Sequence, residues 1–251
     1  MGNEPLPDRR LSSAGWLGLI FAMTLPTAMT SLYFLALAGG GKANPAQQLS
    51  YSLGKVLQFT FPLVFVFLAD GRWPRPRRPR FGGLALGLGF GLLVAGAMLV
   101  LYFAWLAGST LMASTPAMVH GKLLEHGITT AVSYWSLAAF VIFAHSLLEE
   151  YYWRWFVFAR LCKGMKAVPA ALLSGLAFMG HHVILLYVYF PGQFLTAVVP
   201  FSLGIAVGGA IWAWLFRRTG SIYSPWLSHL LVDVAIFVIG WDLVRQAGGM
   251  G

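Results

Sequence analysis

The chain has 251 residues, 58% of them hydrophobic and 10% charged, and its mean hydropathy is +0.72. Soluble domains carry about a quarter charged residues, so this composition excludes an ordinary water-soluble globule and equally a disordered chain. The net charge of +9 would suggest nucleic acid in a soluble protein, but here the cations fall between apolar runs, and topology accounts for them.

A membrane-spanning helix needs about 20 mostly apolar residues, and seven stretches qualify. They run from Trp16 to Gly39, Tyr51 to Ala69, Phe81 to Leu106, Val132 to Phe158, Val168 to Phe190, Leu195 to Phe216 and Ile222 to Trp241. The first follows Arg9 and Arg10, precedes no small-residue cleavage site and is succeeded by six more spans, which makes it a signal anchor rather than a removed peptide. The expected fold class is therefore all-α, a polytopic transmembrane bundle of about seven helices. It forms one domain over residues 1–251, with a motif-bearing core over 132–241.

The connections orient it. With the N-terminus in the cytoplasm, the inner segments hold Arg9, Arg10, Arg72, Arg75, Arg77, Arg78, Arg80, Arg160, Lys163, Lys166, Arg217 and Arg218. The outer segments hold only Lys42, Lys122 and Arg245, while Lys55 and Arg154 lie within or at the edge of helices. This asymmetry satisfies the positive-inside rule and predicts an N-in, C-out arrangement. The run from Gly71 to Arg80 alternates arginine, an aromatic and proline, but reads as a stiff cytoplasmic loop against anionic headgroups rather than a nucleic-acid patch. Gly83, Gly87 and Gly91 on the third span, and Gly204 and Gly208 on the sixth, have the four-residue spacing that lets helix backbones approach closely. In the outer stretch Ser109 to Thr130, His120 and His126 are expected to be solvated. The lone Cys162, beside Lys163 and Lys166, excludes a disulfide scaffold and any cysteine-based metal site.

Ionisable side chains at membrane depth are costly, and each is by default a functional-site hypothesis. The fourth span holds His145, Glu149, Glu150 and Arg154; the fifth holds His181 and His182; the seventh holds His229 and Asp233. Glu150 and Arg154 are four residues apart, about 40° around a helix, so they can pair. Glu149 lies about 140° from Arg154 and is the carboxylate left to face a wet cavity, with His145 one turn before it. On the seventh span, Asp233 can hold one nitrogen of His229 and set the tautomer of the other. Phe178 and His182 repeat the four-residue spacing, whereas His181 points about 100° away, toward another helix or the cavity wall. Glu149 lies 11 residues before Arg160 and His229 lies 11 after Arg218. Both are therefore roughly 16 Å from cytoplasmic charges.

Glu149 to Arg154 has the form EExxxR, Phe178 to His182 the form FxxxH, and His229 to Asp233 the form HxxxN/D. In that order on separate spans, the three motifs resemble the CAAX-processing and bacteriocin-processing (CPBP, or Abi) intramembrane proteases. That family includes the Ras-converting-enzyme type and the myxosortase branch. The resemblance covers Glu149 to Asp233. The chain departs from the pattern in having Asp233 where many members carry asparagine, and in doubling His181 and His182.

The resemblance implies an endopeptidase that hydrolyses a peptide bond of a membrane-associated protein or peptide, in a bacterial cytoplasmic membrane, with its site toward the cytoplasmic half. Amide hydrolysis needs an activated water, a stabilised oxyanion and a protonated leaving amine. Glu149 suits general base and then acid, and His182 and His229 suit water positioning and oxyanion stabilisation. Arg154 holds Glu150, and Asp233 orients His229. A zinc ion on His182, His229 and Glu149 is a second possibility; the absence of HExxH, and the loss of a metal-bound carboxylate as base, favour the metal-free route. The partners expected are the lipid bilayer and a membrane-anchored or C-terminally tagged substrate, with no nucleic acid. Prenylated CaaX termini, leader peptides and C-terminal sorting tags all fit. A proton-coupled transporter would use similar Glu and His chains, but the paired broken helices it predicts are not seen in the sequence. A non-proteolytic immunity or binding protein of the same fold stays compatible with every residue named.

Overall fold

A computed structural model of the chain describes residues 11–37, 45–71 and 83–250. The cations Arg9, Arg10 and Lys42 and the whole Arg72 to Arg80 run lie outside the described residues. Among those described the structure is entirely helical, with seven helices long and apolar enough to cross a membrane. They are α1 (Ser13–Ala36), α2 (Pro45–Ala69), α3 (Leu84–Leu106), α5 (Ala131–Leu161), α6 (Ala167–Tyr189), α7 (Phe194–Thr219) and α8 (Tyr223–Gln246). A shorter helix, α4 (Thr115–Glu125), lies in the connection between α3 and α5. The protein is an integral membrane protein, and the apolar side chains it leaves exposed, such as Leu17, Leu68, Val132 and Leu195, are those a hydrocarbon solvent accepts.

Helix α5 runs through the middle, touching α1, α2, α6, α7 and α8. Around it α2 packs on α1, α1 on α6, α6 on α7 and α7 on α8, while α3 lies against the outside of α8. Close approach along two seams depends on glycine. A Cβ on Gly87 would sit 2.1 Å from Ser224 O, and one on Gly91 would sit 2.9 Å from Ser228 Cα, so α3 meets α8 backbone to backbone, as the spacing predicts. The α6–α7 seam differs from expectation. Gly204 and Gly208 have nothing within 4 Å, whereas a Cβ on Gly175 would meet Ala206 O at 2.5 Å and one on Gly209 would meet Gly175 Cα at 3.1 Å. Spacing alone cannot tell which face of a helix is turned inward; here the inward glycine is the one after the regular pair.

Helix α1 carries Pro26, which has no N–H to give to the carbonyl four residues earlier. That carbonyl, Ala22 O, instead accepts from the Tyr152 hydroxyl of α5 at 2.6 Å, so the break in α1 becomes a tie to the central helix. Helix α5 is itself irregular, with wide π-helical turns at Phe140–His145 and Tyr151–Phe158 on either side of the regular turn Ser146–Glu150. Such bulges alter which side chains share a face, and they concentrate at functional sites. Tyr152, Trp153, Arg154, Phe156, Val157 and Phe158 are all buried in the second wide turn.

At the opposite end His126 is not merely solvated. Its Nε2 bonds to the Tyr33 hydroxyl, and its Nδ1 lies 2.7 Å from Lys122 O. Cys162, in the α5–α6 connection, is free and exposed.

Candidate active site

The site is built on α5, α6 and α8, with α7 closing its wall. Glu150 is fully buried and Arg154 nearly so. Their carboxylate and guanidinium meet at 3.1 Å between Arg154 Nε and Glu150 Oε2, the pairing expected from their spacing. The guanidinium lies 4.9 Å from the Phe178 ring centre and 5.1 Å from that of Trp212, and Nη2 donates to Gly209 O at 3.2 Å. Gly209 therefore serves twice: it lets α7 close on α6, and its carbonyl receives the charge. Desolvating both ions is costly, and aromatic faces with a backbone acceptor supply part of the compensation that water would otherwise give.

The other Glu150 oxygen is used as well. His229 Nδ1 lies 2.8 Å from Glu150 Oε1, and the His229 ring stacks on Trp212 at 4.2 Å between centres. This corrects the expectation that Asp233 orients His229. The nitrogen held by a carboxylate at hydrogen-bond distance is Nδ1, held from α5, and Asp233 Oδ1 lies 3.7 Å from the other nitrogen, Nε2. The four-residue spacing of His229 and Asp233 is real, but a partner on another helix wins because it approaches the ring edge directly. Trp212 is in turn fixed by its Nε1–H donating to Ser228 Oγ at 2.9 Å.

Glu149 is 3% exposed and is ringed by imidazoles. His181 Nε2 lies 3.5 Å from its Oε1, His229 Nε2 lies 3.7 Å from its Oε2, and His145 Nε2 lies 4.0 Å from Oε1. His145, one helical turn before Glu149, is thus drawn into the cluster as its spacing allows.

The paired histidines of α6 divide their contacts. His181, expected to meet another helix or the cavity wall, is opposed to Glu149 on α5; it is buried, with its ring parallel to that of Trp153. His182 keeps the relation to Phe178 that the FxxxH spacing predicts, ring against ring at 4.7 Å. Its Nδ1, however, turns back to Phe178 O at 3.0 Å. Phe178 touches both histidines and lies 6.1 Å from His229, so it is the wall of the site whichever histidine works in it. Sequence shows a face only relative to other residues on the same helix, whereas α6 meets α5 through Ser174 Oγ on Trp153 O at 3.4 Å and the Trp153 and Phe178 rings at 5.7 Å.

Glu149, Glu150, Arg154, His229 and Asp233 are therefore brought together, and of the two α6 histidines it is His181 whose Nε2 lies 3.5 Å from Glu149. Among the described residues no group of three His, Cys, Asp or Glu is arranged to hold a metal ion. Of the residues considered for a metal, His182 has its Nδ1 engaged by Phe178 O, while His229 Nε2 faces Glu149. Two participants escaped the sequence reading. Trp212 carries no signal beyond being one tryptophan among ten. Lys55 on α2 does carry one, a lone ammonium inside an apolar span; its Nζ lies 3.5 Å from His145 Nε2.

Residues 131–235 match the sequence model of a family described as Type II CAAX prenyl endopeptidase Rce1-like. The match runs from the start of α5 into α8 and contains all three motifs, so the resemblance drawn from them is borne out over that segment. No curated protein and no solved structure shows a significant match to the chain.

Proposed function

We propose, on the premise that residues 131–235 carry the core of an Rce1-like type II CAAX prenyl endopeptidase, that this protein hydrolyses a peptide bond of a membrane-associated protein or peptide and that Glu149 activates the water. The observation that carries the assignment is the geometry around Glu149. Its two oxygens face His181 Nε2 and His229 Nε2 at 3.5 and 3.7 Å, too far for good direct hydrogen bonds. Imidazole nitrogens converging from two other helices on a buried carboxylate can together hold a water against it.

In this reading Glu149 takes the proton of that water as it attacks the scissile carbonyl, then returns it to the leaving amine. The Nε2 atoms of His181 and His229 flank the attacking oxygen and the oxyanion it creates. Glu150 keeps the Nδ1 side of His229 engaged, so that Nε2 is the atom presented to substrate, and Arg154 keeps Glu150 in place. The protein's own side chains supply every proton transfer, and no step passes through a metal.

Glu149→Gln tests this, since it removes the base with little change in shape. Mass spectrometry of membrane-protein termini should show a set of ends present with wild type and missing with the variant, while both proteins insert to equal level. Wild-type cleavage should also survive chelators. Equal termini in the two strains would end the glutamate assignment, and loss of activity on chelation restored by zinc would replace it with a metal-dependent one.

A further inference from the structure

A hydrogen bond holds an imidazole at one atom and leaves its plane free to rock about that atom. His229 is held at Nδ1 by Glu150 Oε1 at 2.8 Å, and the atom that faces Glu149 is Nε2, across the ring, where rocking displaces it. The plane is fixed by Trp212 of α7. Its indole lies against the imidazole with ring centres 4.2 Å apart and planes within 18° of parallel. The indole is itself secured by three other helices. Its Nε1–H donates to Ser228 Oγ at 2.9 Å, and Ser228 directly precedes His229, so the indole and the imidazole are fastened to the same turn of α8. The Arg154 guanidinium of α5 lies 5.1 Å from the indole ring centre, and the Phe178 ring of α6 meets it edge-on at 6.0 Å. Trp212 is buried, whereas Trp214, two residues further along α7, is half exposed.

The property this contact uses is a flat, rigid face. Two rings stack favourably over a limited range of tilt, and a flexible aliphatic chain in place of one of them imposes no such preference. A misplacement of about 1 Å near the reacting atoms costs about 10²-fold in rate. We propose that Trp212 is a positioning residue of the site: acting through His229, it sets the plane of the imidazole so that Nε2 stays directed at Glu149 and the scissile carbonyl. The inference rests on the peptidase reading above for the role of His229 Nε2. It gives α7, which carries none of the three motifs, a part in the reaction beyond closing the wall of the site.

The test separates the flat face from the volume it fills. Trp212→Phe and Trp212→Met both shorten the side chain and both lose the indole N–H, but only the former keeps a plane. The full-length protein is prepared with isotope-labelled histidine in lipid nanodiscs and observed by nitrogen NMR, and the ring signals of His229 are identified by their absence from His229→Gln. Wild type is expected to give one sharp set with a proton on Nδ1, because the carboxylate opposite it only accepts. Trp212→Phe should keep one set, and Trp212→Met should broaden or split it. The rate at which new membrane-protein termini accumulate, per folded protein, should fall at least about ten-fold in Trp212→Met and no more than about three-fold in Trp212→Phe. Trp214→Met should change neither readout. Equal effects of the two Trp212 substitutions would reduce this residue to packing and overturn the proposal, as would a single sharp His229 set in Trp212→Met. Should neither variant fold, Ser228→Ala decides, because it frees the indole edge without removing the ring: a broadened His229 set is expected, and an unchanged one overturns the positioning role. The NMR readout needs no turnover, so if Glu149→Gln cleaves like wild type the peptidase reading falls while the result for the His229 plane stands.

Discussion

At the scale of single residues the paired histidines of α6 offer the sharpest discrimination. His181 Nε2 faces Glu149, whereas His182 bonds its own helix through Phe178 O. Loss of a group acting in the transition state costs about two to four orders of magnitude, so His181→Ala should reduce the rate by at least 10²-fold and His182→Ala clearly less. Rates of the two purified variants on one substrate, compared at equal folded amount, check this; a larger loss in His182→Ala would return the site to the other face of α6. The pair beneath them behaves differently. Arg154→Leu strands the Glu150 carboxylate in a site from which water is excluded, and breaking a buried pair from one side costs about 3–5 kcal/mol. The expected outcome is loss of folded protein as well as activity, visible as a lower unfolding temperature in detergent. Glu149→Gln, with no ion partner stranded, should leave that temperature nearly unchanged.

At the scale of helices, what positions these groups is backbone contact. Gly209 faces Gly175 Cα, the Phe178 ring and the Arg154 guanidinium, while Gly204 on the same helix faces open space. Gly209→Val should push α7 off α6, destabilise the protein by about 1–3 kcal/mol as overpacking does, and reduce activity by moving His181 relative to Glu149. Gly204→Val should be silent in both respects. Thermal unfolding and rate measured on the same two preparations settle the comparison, and an equal effect would mean that the α6–α7 seam does not set the site. The Tyr152 hydroxyl on Ala22 O fits the same principle, since the carbonyl that Pro26 leaves without an N–H is satisfied by the helix that carries the two glutamates.

At the scale of the whole molecule, one central helix collects polar groups from its neighbours while the periphery stays apolar enough for lipid. Trp16 and Leu11 of the α1 end meet Gly164 of the α5–α6 connection, and Gly83 before α3 meets Thr219 before α8. The arginines and lysines at 160–166 thus lie at the α1 N-terminal end, and Arg217 and Arg218 lie at the same end as the start of α3. The inner-segment cations counted in the sequence would follow this alternation. We propose that this end is cytoplasmic. With Cys162 replaced by Ser, a cysteine introduced at Lys163 should react with an impermeant thiol reagent only from the cytoplasmic side, and one introduced at Gly121 in α4 only from outside. The reverse pattern would invert the molecule and place the site in the outer half.

The amino-acid sequence by itself determined the all-helical membrane architecture, because apolar runs of spanning length have no other low-cost state in a bilayer. It also identified Glu149, Glu150, Arg154, His229 and Asp233 as the polar exceptions, since ions at membrane depth stand out against such a background. Only the tertiary structure decided which atom faces which. His181 rather than His182 meets Glu149, Glu150 rather than Asp233 holds His229 Nδ1, Gly209 rather than Gly204 seats α7, and Lys55 arrives from a helix without a recognised motif. Spacing relates residues within one helix, where rise and turn are constants of the backbone. The rotation of one helix against another, and the register shift added by the wide turns of α5, depend on contacts between segments far apart in the chain.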